Sequence, residues 1–410
     1  MNPTERMLVH LLDCALRGHK PDAVLAKDVD WAALFTLAQA HKVDALLLDP
    51  LCLLPEDVQP SANVLVPWQE NAMLTVMAQV LLVEQLHALL SALEAASIQP
   101  VVLKGVALKP LYPQPDLRTM SDADLLVGMD SFAAAMSVME DYGYVLVEQE
   151  PGVNVYTGPD GLRVELHAQL FDKTAYGFLS RLDEQAMFPL SLAERATVYG
   201  GEAWIYPPKE HTLFMLCHMA KHMITTGFGL RQTADFILFT EENDTAMDWP
   251  AFWREAEVLG LAGFAASLLS LGTQYLSLQP GKWATDMPAS NPAATEPLLL
   301  DLLDAGVFGN RTEERRSSAA VVYRAYETDN ADTGRIRRAL FPSAATLKAP
   351  YLYARNHPVL LPAAWIHRFV NYGISLIMGR AKHTDTLAGV QIADDRLRLL
   401  EQLGLRDDKQ

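Results

Sequence analysis

Asp122 and Asp124 stand one residue apart in "RTMSDADLLVG", where a polar loop runs straight into an apolar stretch. Side chains alternate across a strand, so both carboxylates fall on one face and Ala123 and Leu125 on the other. Two carboxylates that close repel unless a cation lies between them. Their oxygens suit a hard divalent ion, which makes the pair a candidate Mg²⁺ site, with Mn²⁺ as the alternative. Further along, "LRVELHA" sets Glu165 between Val164 and Leu166, with His167 on the same face as Glu165. Three acids on neighbouring strands are what a two-metal phosphoryl-transfer centre needs. One ion activates the attacking hydroxyl and the other steadies the leaving group. His167 has the chemistry to help deprotonate an acceptor hydroxyl or to hold a carboxylate in place.

Upstream, "VVLKG" ends a short β-branched run at Gly105. A glycine turn before a helix lets backbone N–H groups approach a phosphate. Lys104 beside it is a point charge for a phosphate, and Arg118 offers a two-pronged fork. The plainer readings are a solvent-facing Lys104, an Arg118 paired with Asp116 or Asp122, and a D-x-D that merely ends a loop. His211, His218 and His222 recur at spacings of 7 and 4, one face of a helix. "HMAKH" has a zinc-compatible spacing but lacks the glutamate of a metalloprotease helix. Arg231 and Asp235, four apart, either pair along a helix or frame an acceptor cleft with His222; Lys221 is a weaker candidate for the same cleft. There is no P-loop, EF-hand, nucleophile elbow or dinucleotide fingerprint.

These residues need rigid elements to hold them. Strands are expected at "IQPVVLKG", "DADLLV", "YVLVEQE", "VNVYTG" and "LRVELHA", with "GPDG" turning a hairpin. Thr4 is the expected cap of a first helix ending at Gly18, and Asp30 of a second; a long helix is expected from Glu70 to Ala96, and another capped by Ser131. After Pro207 the pattern is helical again, broken by the loop-like "LQPGKWATDMPASNPAATEP". The expected fold class is α+β: a small mixed-sheet core flanked by helical regions. Its divisions are 1–96 helical, 97–206 the α/β core, 207–275 helices lining the cleft, 276–298 a Pro/Ala-rich loop, and 299–410 helical.

The chain has 410 residues, half of them hydrophobic, and a formal charge of −17. That is room for two or three structural units. The acidic balance argues against nucleic acid as the acceptor, because phosphate binding needs clustered Lys and Arg. Cys14, Cys52 and Cys217 form no pairs or metal spacing, which fits a reduced, cytoplasmic setting. No signal-peptide pattern opens the chain, and no transmembrane segment is expected. The late apolar stretch "HPVLLPAAWIHRFVNYGISLIMG" is interrupted by polar residues and reads as a buried helix; the tail "DDKQ" is expected to fray, with Asp407–Asp408 solvated like Glu241–Glu242.

The strand–glycine turn, the D-x-D and the acid on a later strand resemble the DNA polymerase β-like nucleotidyltransferase superfamily. More closely, "VVLKGVAL…LY…LRTMSDADLLV…VELH", spanning Val101 to His167, resembles the uncharacterised bacterial nucleotidyltransferase family 5. Weaker likeness extends to "CHMAKHMITTGFGLRQTADFILF". The resemblance implies that Asp122, Asp124 and Glu165 hold two metal ions, that Lys104, Gly105 and Arg118 bind the nucleotide, and that His167 joins the catalytic group. His222, Arg231 and Asp235 then belong to the acceptor cleft. One difference is the turn itself: Gly105-Val106 replaces the superfamily's Gly-Ser or Gly-Gly, so no serine hydroxyl is there for the triphosphate.

The function this implies is transfer of a nucleoside monophosphate from an NTP such as ATP to a hydroxyl or phosphate, releasing pyrophosphate. The acceptor is a small metabolite, saccharide, peptide or protein. Two alternatives stand beside it. One is a tRNA-modifying toxin-like enzyme with a basic groove at Lys104, Lys109, Arg118 and Arg163. The other is a non-catalytic nucleotide-binding scaffold, though a scaffold gains nothing from clustered carboxylates.

Overall fold

The computed structural model describes residues 1–307 apart from 151, 160 and 172–176, isolated positions and short runs between 315 and 367, and 383–406. Residues 1–311 and 399–410 form one compact unit, and 312–398 a second.

Four helices open the first unit: α1 (Pro3–Arg17), α2 (Trp31–His41), α3 (Asp44–Cys52) and α4 (Ala62–Ala95). Asp30 caps α2 by accepting from Ala33 N, as its position predicts. Asn2, not Thr4, caps α1: Asn2 and Glu5 close a reciprocal capping box ahead of Pro3, while Thr4 Oγ1 accepts from Asp30 N at 3.1 Å. Helix α4 starts earlier than expected and absorbs Pro67 near its N-terminus, because Trp68 anchors that end. Trp68 is fully buried, donates to Asp44 O at 2.7 Å and stacks on Phe35. By length and composition α4 also passes as a membrane-spanning candidate; 28% of its apolar window is buried, and Met73, Leu74, Met77 and Leu81 are exposed. Its C-terminal half packs Leu86, Leu89, Leu90 and Leu93 into the core of the sheet.

The sheet has seven strands: β1 (Val101–Val102), β2 (Asp122–Leu126), β3 (Val145–Glu150), β4 (Val153–Thr157), β5 (Arg163–His167), β6 (Glu194–Val198) and β7 (Gly201–Ile205). Their order is β3-β4-β5-β2-β1-β7-β6. The β2–β5 and β1–β7 pairs are parallel and the others antiparallel. The mixed sheet agrees with the expected α+β class, and it is larger by the β6–β7 hairpin. Between β2 and β3 lies α5 (Met129–Asp141), whose cap position is Gly128 at φ 75° and not Ser131. Ala123, Leu125, Val127, Val164 and Leu166 fill one face of the sheet with α4 and α5 side chains. That leaves the opposite face of β2 and β5 for polar groups.

After a four-residue turn, α6 (Glu184–Met187), and the β6–β7 hairpin, the chain becomes helical: α7 (Pro208–Ile224), α8 (Leu230–Glu242), α9 (Trp249–Leu259), α10 (Ala262–Tyr275), α11 (Pro292–Ala305) and α12 (His383–Gln402). The expected Pro/Ala-rich loop is shorter than its composition suggests, because Asn291 caps α11 and Pro292 takes the first helical position, where a missing N–H costs nothing. Glu241 is not simply solvated; it pairs with Arg17. Among the described residues of the late apolar stretch Ala364 is buried beside Tyr351, Tyr353 and Leu361, while Leu360 and Ile366 are exposed; 358–359 and 368–379 lie outside the described residues. The tail at 407–410, with Asp407 and Asp408, lies outside the described residues.

Candidate active site

Strand pairing builds one wall of the site. In the parallel β2–β5 register Asp122 faces Arg163, Asp124 faces Glu165 and Leu126 faces His167. Register partners share a face, as do residues two apart along each strand, so Asp122, Asp124, Glu165 and His167 form one patch above the core. Asp124 is almost fully buried and Glu165 partly so. His167 Nε2 lies 3.5 Å from Asp124 Oδ1 and 3.9 Å from Glu165 Oε2. Beyond β5 the same face carries Val153 and Val155 of β4, then Glu148 and Glu150 of edge strand β3.

β1 delivers Lys104. The strand is tied to β2 by Leu103 N donating to Asp124 O, 3.2 Å. The next residue, Gly105, has φ 68°, and a Cβ there would sit 2.7 Å from Met120 Sδ. Only glycine fits this turn without strain. Lys104 Nζ is 3.0 Å from Asp124 Oδ2, an ion pair outside hydrogen-bonding angles, and 3.1 Å from His218 Nε2. Burial opposes the ammonium, but Asp124, Asp122 and Glu165 more than offset it and hold its pKa above the usual lysine value. Against the same burial, Lys104 and His167 hold the Asp124 carboxyl well below the ordinary range. Glu165 moves the other way: burial, then repulsion from Asp124, raises it.

The second wall is helical. On α7 the predicted histidine face is real and points at β1. His211 Nε2 donates to Leu103 O at 2.8 Å, His218 meets Lys104, and His222 Nε2 is 3.3 Å from His218 Nε2. Burial and the nearby Lys104 keep His222 neutral, with its pKa lowered to about 3. On α8, Arg231 and Asp235 do not pair with each other. Arg231 donates to Thr119 O and Oγ1, while Asp235 receives Arg118 Nη2 at 2.7 Å, Arg118 Nε at 3.1 Å and the Tyr112 hydroxyl at 2.8 Å. Arg118 also donates to Gly105 O at 3.3 Å. Its fork is therefore closed on Asp235, joining the loop after β1 to α8. Neither Asp116 nor Asp122 takes that role; Asp116 accepts from Tyr199.

The two walls enclose a cleft of about 620 Å³ whose lining includes Lys104, Gly105, Asp122, Glu165, His167 and His222. Of the residues expected at the site, Lys104, Gly105, Arg118, Asp122, Glu165, His167, His222, Arg231 and Asp235 line this cleft, and Asp124 is buried behind them. Position on α7 gave no site role to His218, and pattern gave none to Glu148 or Glu150. Among the described residues, Lys104, Lys109, Arg118 and Arg163 do not line up as a basic groove for a tRNA substrate. Lys109 is buried against Pro115 O and Arg118 O, Arg118 is paired, and Arg163 pairs with Glu148.

Asp124 Oδ2 and both ring nitrogens of His167 are buried with no hydrogen-bond partner. Asp124, Glu165 and His167 can each aim a ligand atom into one point, since those atoms lie within 4.8 Å of one another. The orphaned imidazole nitrogens of His167, beside Glu165 and Asp124 Oδ1, fit a divalent cation.

Residues 27–277, more than half the chain, match the model of a family described as uncharacterised nucleotidyltransferase. No curated protein matches. A solved structure, an antigenic nucleotidyltransferase-like protein from Paracoccidioides brasiliensis, is similar at 19% identity over 52% of this chain and 95% of that chain. Its TM-score of 0.32 is too low to bear on the argument.

Proposed function

The chain belongs to the family of uncharacterised nucleotidyltransferases, and from that premise we propose that it moves a nucleoside monophosphate from an NTP to a hydroxyl or phosphate of an acceptor. The observation that carries this reading is the β2–β5 register, which sets Asp124 beside Glu165 on one face of the sheet, with His167 next to both and Lys104 against Asp124. Clustered buried carboxylates cost stability and are retained where chemistry needs them. The cleft volume lies in the range of small-ligand sites, about 300–1,000 Å³.

Asp122, Asp124, Glu165 and His167 would hold a divalent cation, Mg²⁺ or Mn²⁺. When bound it supplies charge for the phosphates and lowers the pKa of a hydroxyl. The remaining steps belong to the protein. Gly105 bares its backbone to the cleft, and Lys104 brings a positive charge to the same corner. Glu165, whose proton affinity is raised by burial and by Asp124, accepts the acceptor's proton. The acceptor oxygen then bonds the α-phosphorus, the α–β phosphoanhydride breaks, and pyrophosphate leaves. Arg118 and Asp235 position the floor of the cleft. The acidic chain, and the pairing or burial of Lys109, Arg118 and Arg163 among the described residues, favour a small molecule, saccharide, peptide or protein as acceptor over nucleic acid.

The test is transfer of label from each of four α-labelled NTPs, with Mg²⁺ or Mn²⁺, into the protein itself and into metabolite, peptide and tRNA fractions. Transfer by the wild type that disappears in Asp122→Ala/Asp124→Ala supports the proposal. Nucleotide binding indifferent to metal and to both aspartates, with no transfer, sinks it.

A further inference from the structure

Lys104 stands inside the carboxylate cluster, not at its rim. Asp124 divides that cluster in two. Its Oδ1 looks toward His167 Nε2, 3.5 Å away, and His167 in turn lies 3.9 Å from Glu165 Oε2. Its Oδ2 looks toward the Lys104 ammonium at 3.0 Å. One oxygen therefore faces a corner of three potential ligands, and the other faces a cation that the chain supplies itself.

That cation is held in place. The backbone on either side is fixed by the Leu103–Asp124 bond and by the Gly105 turn packed on Met120. The side chain leans on His218, which leans on His222. An ammonium has only protons to offer, so His218 Nε2 must accept from it, and the neutral imidazoles on α7 suit that arrangement. Lys104 is thus a seated group with a dedicated partner on the opposite wall.

Charge balance gives the consequence. Asp122, Asp124 and Glu165 bring three negative charges, and Lys104 returns one. In the cleft without nucleotide, one divalent ion neutralises what is left. A second at Asp124 Oδ2 would lie against an ammonium, where like charges repel strongly in a poorly solvated site. We infer that Lys104 supplies the second positive charge of the centre, so that the cleft takes a single divalent ion, on the Asp124 Oδ1, Glu165 and His167 side. This rests on the nucleotidyltransferase reading and departs from the two-ion centre expected by resemblance. It also gives Lys104 a task in the reaction: with one N–H given to His218 and the ammonium paired in charge with Asp124, an N–H is left for an oxygen of the departing pyrophosphate.

Counting the ions tests it. Mn²⁺ is titrated by electron paramagnetic resonance into equimolar protein and α,β-methylene-ATP, with binding of the analogue followed separately by calorimetry. The wild type is expected to take one Mn²⁺ per chain with a mononuclear spectrum. Lys104→Arg, which keeps the charge, is expected to take one as well. Lys104→Met is expected to take two, with the spin coupling of a neighbouring pair. Two coupled ions in the wild type overturn the inference, as does a count of one in a folded Lys104→Met. If Lys104→Met does not fold, the wild-type count decides alone: one supports the inference and two overturns it. Failure of the analogue to bind is a different result, which overturns the nucleotidyltransferase reading and this inference with it.

Discussion

On the sheet wall of the cleft, Asp124 and Glu165 are neighbours because β2 and β5 pair in register. On the helical wall, Arg118 and Asp235 are neighbours although 117 residues separate them. The two pairs also differ in sign. Arg118 and Asp235 carry opposite charges, are both buried, and are bonded through two nitrogens and two oxygens. Asp124 and Glu165 carry like charges, and burial, then the proximity of Asp124, raises the proton affinity of Glu165. One wall stores electrostatic repulsion and the other spends attraction on position. A site built this way can keep reactive groups uncomfortable while the frame around them stays rigid.

A matched pair of substitutions separates the two walls. Asp235→Ala leaves the Arg118 guanidinium buried without its partner, and removing one member of such a pair costs about 3–5 kcal/mol. Chemical denaturation should show that loss, and nucleotide binding should weaken only as far as the loop after β1 loosens. Glu165→Gln does the reverse. It removes a like charge beside Asp124, so metal-free stability should hold or rise. Label transfer should fall by about 10²–10³-fold, the scale of losing one group that manages transition-state charge. If Glu165→Gln destabilises as much as Asp235→Ala, the carboxylates are a structural network and the contrast between the walls collapses.

The same contrast governs what could be read in the sequence. The period of two in a strand put Asp122 and Asp124 on one face, and Glu165 and His167 on another, before any pairing was known. Only the pairing had to be added. Nothing local says that Arg118 meets Asp235, or that His218 meets Lys104, because a helix face names a direction and not a partner. The spacing of Arg231 and Asp235 suggested a pair within α8, yet the loop after β1 supplied a better fork. The β6–β7 hairpin was missed although its signal is present: Tyr199 and Gly200 form a two-residue connection between Val198 and Gly201, and Gly200 has φ 87°. The short β1 was legible only as a β-branched run before glycine. Its two residues pair because β2 and β7 flank them on both sides.

His211 joins the walls and gives the smallest of these effects. It sits on α7 but donates to Leu103 O on the strand side, directly behind Lys104. Burial pushes its imidazole down to about 4, only partly countered by the hydrogen bond to Leu103 O and by the nearby Tyr206 backbone. In the unfolded chain the same group titrates near its ordinary value of about 6.5. Between those values the unfolded state holds more protons than the folded one, so stability rises with pH across that window. The contribution is complete above about pH 6.5 and drains away as pH falls toward about 4. One imidazole gives a slope of at most about 1.4 kcal/mol per pH unit. His211→Gln keeps an N–H for Leu103 O and discards the titration. Urea denaturation at about pH 5 and about pH 7 should therefore show a shallower loss in the variant, by up to that slope, with little change at the higher pH. His222, also held neutral by burial, leaves part of the slope behind. An unchanged slope would mean that α7 opens enough in acid for His211 to take its proton in the fold, and that the seam between the walls is looser than the Leu103 bond implies.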